Sequence, residues 1–199
     1  NQGGWAAMTN ATLAVSDLGT VTFAGRYESV GFGGIEQRVA ERRLEDYKLM
    51  NLAMNFDLGK LYPKQGILNF PVYYSISRQS HTPKYDPLNQ DLLLEDVLKT
   101  ADTKAEKDSI LDYSSKIVNV RNLNVSNLRL NVKSKTPLPI DPANFSASGS
   151  YSETYKHDAS TEYEITRNYN AGITYGYTSP LKAWEPFAKS KKLESPWLK

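Results

Sequence analysis

Few side chains in this sequence have both the type and the spacing that metal binding requires. His81 and His157 are far apart in the chain, and neither has a second histidine at ligand spacing. A zinc site needs three or four convergent ligands. Asp86 and Asp91 are close together, but their spacing is not that of a calcium-binding loop. We therefore predict no metal site and assign these aspartates to turns and helix caps.

The residues that could act in catalysis are equally sparse. Glu162 and Glu164 fall on one face of a predicted strand, whereas the paired carboxylates of glycosidases normally come from different segments. No serine lies in a G-x-S-x-G motif, and the absence of cysteine excludes a thiol nucleophile, a disulfide and a cysteine-ligated metal. Residues 31–34 (Gly-Phe-Gly-Gly) lack the spacing of a dinucleotide-binding loop and the lysine of a phosphate-binding loop. We predict that the chain is not an enzyme, with no catalytic and no cofactor-binding residue.

Charge and hydropathy argue against two classes of protein, those that bind nucleic acid and those that cross a membrane with a helix. The net charge of the 199 residues is +2, which argues against nucleic acid as an electrostatic partner. No stretch approaches 18 consecutive apolar residues, so no transmembrane helix is predicted. The mean hydropathy of −0.53 does not decide against transmembrane strands, because alternating strands are polar on every second residue.

The clearest pattern is an amphipathic hairpin over residues 50–58 and 68–76. Apolar and polar residues alternate along both stretches, and this period of two gives each strand one apolar and one polar face. Each stretch has about the 9–11 residues that a tilted strand needs to cross a bilayer. Similar alternation elsewhere brings the total to about seven strands, including predicted strands at 9–16, 20–27, 118–132, 145–155 and 163–177. A change of phase predicts a bulge near Asn124.

The predicted connections differ in length. Residues 17–19 and 59–66 form short turns, whereas 28–48 and 78–117 form long loops, the second with a helical insertion around 92–116 that Asp102 or Thr103 would cap. Outer-membrane barrels have short periplasmic turns and long extracellular loops. The predicted fold is therefore all-β: antiparallel up-and-down strands forming a segment of a large transmembrane β-barrel. Its wall would comprise residues 1–178, and 179–199 would be a Pro- and Lys-rich connection to the next strands.

Several motifs, taken together and in order, resemble the SprA/Sov family. They are residues 1–5 (NQGGW), 30–34 (VGFGG), 58–63 (LGKLYP), 82–91 (TPKYDPLNQD) and 167–170 (RNYN). The resemblance covers the whole chain but only a small segment of a family member. It implies a giant outer-membrane translocon of the type IX secretion system, which secretes folded cargo and is tied to gliding motility. The implied location is the bacterial outer membrane. The implied partners are outer-membrane lipid, the rest of the parent barrel, secreted cargo proteins and accessory translocon subunits.

Two alternative interpretations remain open from the residues alone. One is a segment of a TonB-dependent receptor barrel, which has similar strands but lacks the Thr-Pro-x-Tyr-Asp-Pro stretch. The other is a soluble β-sandwich binding module, which would bury the apolar faces of 50–58 and 68–76 against a second sheet. Aromatic residues at strand ends on the apolar face would favour a barrel over a sandwich. Seven strands are too few to close an outer-membrane barrel, so the segment would have two unpaired edges.

Overall fold

The chain forms one antiparallel sheet in which successive long strands pair in an up-and-down order. The structure, a computed structural model, describes residues 3–34, 36–64, 66–132 and 138–178. Seven long strands pair in sequence, and the two-residue β4 adds to β6 beside β5. The strands are β1 (Ala6–Val15), β2 (Gly19–Glu28), β3 (Glu45–Asp57), β4 (Leu68–Asn69), β5 (Pro71–Pro83), β6 (Lys116–Leu130), β7 (Phe145–Asp158) and β8 (Thr161–Tyr175).

The connections define two ends of the sheet. Residues 29–44 and 84–115 lie at the end that we call upper, together with the two-residue turn at 159–160. The lower end carries the turn at 16–18, in which Ser16 has a positive φ of 49° and the Leu18 amide donates to the Val15 carbonyl (3.0 Å). The connections at 58–67 and 131–144 also lie there. The short connection between β7 and β8 at the upper end departs from a simple rule of long upper and short lower loops.

The bounds predicted for the long loops 28–48 and 78–117 were wrong at both ends. β3 begins at Glu45 and β5 continues to Pro83, and these two residues pair with each other. β6 begins at Lys116, which pairs with His81. These segments read as loops because they are polar, but polar side chains are compatible with a strand wherever neighbouring backbones supply hydrogen bonds and water reaches both faces.

The phase change predicted within β6 is present but displaced. One extra residue lies between Val125 and Leu128, and Asn127 has a positive φ of 52°. The bulge therefore follows Val125 rather than Asn124. It places Leu123, Val125 and Leu128 on the same face, whereas Val118, predicted to share a phase with Leu128, lies on the other.

The predicted helical insertion is confirmed. It contains α1 (Leu94–Thr100) and α2 (Lys104–Ser114), and the Thr103 side chain caps α2 by accepting from the Glu106 amide (3.2 Å). Leu94 and Ala101 are the fully buried apolar residues of the described chain, with exposed fractions of 3% and 6%. The insertion thus encloses a small core of its own.

The sheet, by contrast, is a single layer. Among the described residues no buried hydrophobic side chain belongs to a strand, and no second sheet covers either face. β1 and β8 are each paired on one side only. The prediction for 179–199 lies outside the described residues.

Candidate functional surface

Strand register brings the apolar residues of the alternating pattern onto one side of the sheet, the apolar face. Paired residues of antiparallel strands point to the same side. Phe23 pairs with Leu52, which pairs with Ile76, and Val21 joins Met54 and Tyr74 in the same way. Other members of the apolar face are Leu13, Phe56, Val72, Leu123, Val125, Leu128, Ala147, Tyr151, Tyr169, Ala171 and Ile173. With no layer above it, this face is an extended apolar surface that something outside the described chain must cover.

Polar residues dominate the opposite side, the polar face. Asn51, Asn55 and Ser75 lie there, and the Asn122 amide donates to the Ser75 hydroxyl (3.3 Å). Four serines of β7 follow the same phase: Ser146, Ser148, Ser150 and Ser152. The two faces therefore differ in the way that a wall between an apolar and an aqueous environment requires.

The apolar face is interrupted by a row of charged residues, the charged line. Following each strand upward from the apolar positions, the first charged residue is Lys48 in β3, Arg78 in β5, Arg121 in β6, Glu153 in β7 and Arg167 in β8. The same face of β1 and β2 carries no charged residue from Ala7 to Val15 or from Gly19 to Tyr27.

The charged line is oblique to the strands. In register, Lys48 lies level with Ser80 and Ile117, and Arg121 comes four residues lower along β6. Arg121 is in turn level with Glu153 and Arg167. With about 3.4 Å per residue and about 4.8 Å between strands, the line drops about 14 Å over about 10 Å from β3 to β6 and then runs level to β8, which gives a mean slope of about 35° over the five strands. The apolar region below it is therefore tilted relative to the strands.

Three strands contribute to an ion cluster on this line. Glu153 Oε2 accepts from Arg167 Nε (2.8 Å) and from the Tyr151 hydroxyl (2.7 Å), and Glu153 Oε1 lies 3.6 Å from Arg121 Nη1. The Glu153 side chain is 16% exposed. Arg167 is a charged residue in the apolar phase of β8, and the sequence alone does not identify its partner. The sequence contains one indication of this ion pair, because Glu153 also falls in the apolar phase of its strand.

Aromatic residues on the apolar face lie next to the charged line and at strand ends. The Tyr151 and Tyr169 rings are 5.0 Å apart directly below Glu153 and Arg167, and the Lys48 ammonium lies 5.8 Å from the Tyr27 ring centroid. At the lower end Phe145 pairs with Tyr175, with ring centroids 5.0 Å apart. The aromatic residues of the apolar face therefore lie both at a strand end, as Phe145 and Tyr175 do, and in the middle of strands, as Tyr151 and Tyr169 do.

The upper end of the polar face is packed with charge. Glu28 is 4% exposed and forms ion pairs with Arg26 and Arg43, the latter at 3.4 Å. The Arg43 guanidinium also lies 5.7 Å from the Tyr47 ring centroid. These contacts fix the end of the 29–44 connection over the polar face.

The helical insertion lies over the upper end of the apolar face. A cavity of about 1020 Å³ lies between it and the upper end of the apolar face. Lys48, Arg78 and Ser80 line it from the sheet, and Leu94, Leu98 and Leu111 from the helices. Within the insertion, Asp86 Oδ1 accepts from the Tyr113 hydroxyl (2.7 Å) and the Leu88 amide (3.1 Å), so this aspartate has the turn role predicted for it.

The two histidines lie apart from each other, and each makes contacts of a structural kind. His81 Nδ1 lies 2.9 Å from Glu45 Oε1 on the polar face. His157 contacts the Glu162 carbonyl through Nδ1 and the Asp112 carbonyl through Nε2 (2.8 Å), linking the β7–β8 turn to α2. The carbonyl of Glu162 raises the pKa of His157, burial opposes this, and the carbonyl of Asp112 adds to the rise.

The remaining candidates for chemistry do not converge. Asp91 donates its amide to the Asn89 side chain (3.3 Å), and Glu164 forms an ion pair with Lys156 (3.6 Å). Within residues 3–34, 36–64, 66–132 and 138–178, no three metal-ligating side chains come together.

Neither described helix is long and apolar enough to cross a membrane. Residues 1–98 match the SprA_N family model, described as a motility related/secretion protein. No curated protein matches the chain. The matched residues run from the start of the chain through β5 and into α1, and so include four of the seven long strands.

Proposed function

Residues 1–98 belong to the SprA/Sov family of motility-related secretion proteins, and on that premise we propose that the chain is a wall segment of an outer-membrane channel that secretes folded cargo. The apolar face lies against lipid and the polar face lines the aqueous interior. β1 and β8 pair with neighbouring strands of the parent barrel. The work of the segment is structural, with no catalysis.

The oblique charged line is the observation that carries this proposal. Strands of outer-membrane barrels tilt by about 35–45° from the membrane normal. A boundary parallel to the membrane must then cross neighbouring strands at successively different positions, at the angle of the tilt. Averaged over β3 to β8, the slope of about 35° matches this tilt, and the descent itself takes place between β3 and β6.

Strand length and burial support the same proposal. β3 and β5 have 13 residues each, and β6 and β8 have 15, which exceeds the about 9–11 needed to cross a bilayer. The additional residues lie mainly above the charged line, where they support the long connections. The sandwich alternative would require a second layer, and the described residues contain none. The family match favours secretion over the TonB-dependent receptor alternative.

The rest of the assignment follows from the family. The segment resides in the bacterial outer membrane, and its partners are lipid, the remaining barrel strands, cargo proteins and accessory translocon subunits. By the loop rule, the upper end faces the cell exterior and the turn at 16–18 faces the periplasm. Gliding motility would depend on the same channel through the cargo that it delivers.

The test uses single cysteines in the full-length parent, in its own outer membrane. The chain contributes no background thiol. A membrane-restricted thiol probe should label replacements of Leu52, Ile76 and Leu123, which lie below the charged line, and spare their polar-face neighbours Asn51 and Ser77. The upper limit of labelling should descend from β3 to β6, as the charged line does.

Two results would contradict the proposal. Protection of apolar-face positions from both lipid and water probes would indicate a buried core and a soluble binding module. Labelling that stops at the same register level on every strand would indicate an untilted sheet, contrary to a barrel wall.

A further inference from the structure

The cavity below the helical insertion has a polar floor, and its roof combines leucines with acidic residues of the two helices. On the floor, Lys48 and Arg78 lie on adjacent strands, diagonal to each other because Lys48 pairs with Ser80 and Arg78 with Met50. Both side chains are exposed. Leu98 and Leu111 line the roof from α1 and α2. Such a cavity suits a molecule with an anionic group and adjoining apolar parts.

The two cations are available to a ligand. Among the described residues neither Lys48 nor Arg78 forms an ion pair, and the Lys48 ammonium lies 5.8 Å from the Tyr27 ring centroid. Guanidinium and ammonium groups side by side are the usual recognition elements for phosphate.

Four acidic residues also line the cavity, and among the described residues none of them forms an ion pair with Lys48 or Arg78. Asp46 accepts from the Val30 amide (2.8 Å), and Glu95 pairs with Lys99 (3.0 Å). Asp108 and Asp112 line the cavity from α2. Asp108 and Asp112 lie on the helical wall and repel an anion from that side, whereas Asp46 lies on the floor two residues above Lys48, so an anion is favoured at the lower part of the floor between Lys48 and Arg78.

Apolar residues continue directly below the cations. Met50 follows Lys48 on the apolar face of β3, and Ile76 lies below Arg78 on β5, level with Leu52. A molecule whose anionic group lay between Lys48 and Arg78 would therefore place an attached hydrocarbon chain along these three side chains.

We propose that this cavity binds the phosphorylated headgroup of an anionic membrane lipid, with its acyl chains along Met50, Leu52 and Ile76. The inference rests on the proposed function, because it requires the apolar face to lie in lipid. The lipid fills the space between the helical insertion and the bilayer and anchors the insertion at the membrane surface.

The test uses the full-length parent in phosphatidylcholine vesicles that contain a trace of phosphatidylglycerol with a photoreactive headgroup. Cross-linked peptides are mapped after illumination, and phosphatidylcholine with the same photoreactive group gives the baseline. Phosphatidylglycerol should label peptides from 76–84 and 94–117 above that baseline. Lys48→Gln and Arg78→Gln should each reduce the apparent affinity about fivefold, the effect of one cation near an anionic surface.

Two matched variants control for charge and folding. Lys116→Gln removes an exposed cation of similar height from the opposite face, since Lys116 pairs with His81, and should leave labelling unchanged. Arg78→Lys keeps the charge and should retain most of the labelling. An equal loss in Lys116→Gln and in the two glutamine variants of the cavity would reflect the charge of the upper end as a whole and would overturn the assignment.

The same vesicles distinguish a lipid headgroup from soluble phosphate as the bound anion, and they also test the proposed function. Displacement of the labelling by millimolar inorganic phosphate would indicate a site for soluble phosphate and overturn the lipid assignment. A second probe with its photoreactive group in the acyl chain should label the apolar face at Leu52 and Ile76. Acyl labelling there without headgroup labelling of the cavity would overturn this inference alone, whereas the absence of both would overturn the wall assignment as well.

Discussion

The helical insertion and the sheet bury their apolar residues in opposite ways. The insertion encloses Leu94 and Ala101 and satisfies Asp86 with Tyr113 inside itself. The sheet has many more apolar side chains, yet leaves them on one uncovered face. The insertion therefore contains the source of its own local stability, whereas the sheet depends on an environment outside the described chain.

This difference indicates how the two regions should respond to substitution. In the insertion, the cost of a change depends on contacts within the chain. In the sheet, it depends on the face that the residue occupies and on what covers that face.

The largest effect is expected at the centre of the insertion. Leu94→Ala removes its best buried side chain and should destabilise the insertion by about 2–5 kcal/mol, as for other buried leucines. Hydrogen exchange of peptides from 93–115 in the full-length parent should accelerate accordingly. The control is Leu88→Ala, because Leu88 is 81% exposed and should change exchange by less than about 0.5 kcal/mol. Equal effects of the two variants would mean that the insertion has no core of its own.

Substitutions at two adjacent residues of β3 test the assignment of the two faces of the sheet. Leu52→Arg puts a charge on the apolar face below the charged line and should impair membrane assembly at a cost of about 2–4 kcal/mol. Asn51→Arg puts the same charge on the polar face and should be tolerated. The measurement is the fraction of the parent protein assembled in the outer membrane. Equal defects at both positions would contradict the assignment of the two faces.

A smaller effect is expected from a hydrogen bond inside the insertion. Tyr113→Phe removes the donor to Asp86, a residue that is 8% exposed, and should cost about 1.5 kcal/mol, near the low end for bonds to charged groups. The protection of α2 from hydrogen exchange should fall, while that of β3 and β5 should not. Burial, together with this bond to Asp86, raises the pKa of Tyr113, so the hydroxyl stays protonated and able to donate. A loss of protection that extended to β3 would show that insertion and sheet unfold as one unit.

The smallest effect is expected at His157, whose contacts connect the sheet to the insertion, and it depends on pH. His157 has a carbonyl oxygen at each ring nitrogen, and only the doubly protonated ring can donate to both. Since its pKa is raised in the folded chain, the link from β7 to α2 should be fully present below the ordinary value of about 6.5 and be lost as the pH rises through the raised value. The nearby carboxylates of Asp112 and Asp158 also favour the charged form.

Hydrogen exchange at the end of α2 should therefore be slowest at low pH, after correction for the intrinsic pH dependence of exchange. His157→Gln should abolish that trend, whereas His81→Gln, which alters the contact with Glu45 on the polar face, should preserve it. A trend that survives His157→Gln would assign the titration to another group.

Much of this architecture was predictable from local pattern. Alternation gave the hairpin of β3 and β5, and the cap at Thr103 and the two short helices followed from helix-start signals. The ends of β3 and β5 were not predictable in the same way, because Glu45 and Pro83 resemble loop residues until each pairs with the other. The cavity could not be foreseen either, since it depends on the insertion folding over the apolar face rather than away from it.

The sequence by itself determined that each strand has an apolar and a polar face, because a period of two fixes the side of every side chain along a regular strand. Only the tertiary structure decided which residues of neighbouring strands lie side by side on the same face of the sheet. A regular two-residue turn at 159–160 would place Glu153 opposite Thr166, but the register shift between Lys156 and Asp158 places it opposite Arg167. Since a slip of one residue exchanges the faces of a strand, that irregularity forms the ion cluster and keeps β8 in phase with the rest of the sheet. The tilt of the charged line has the same origin, because it depends on strand pairing over long distances in sequence.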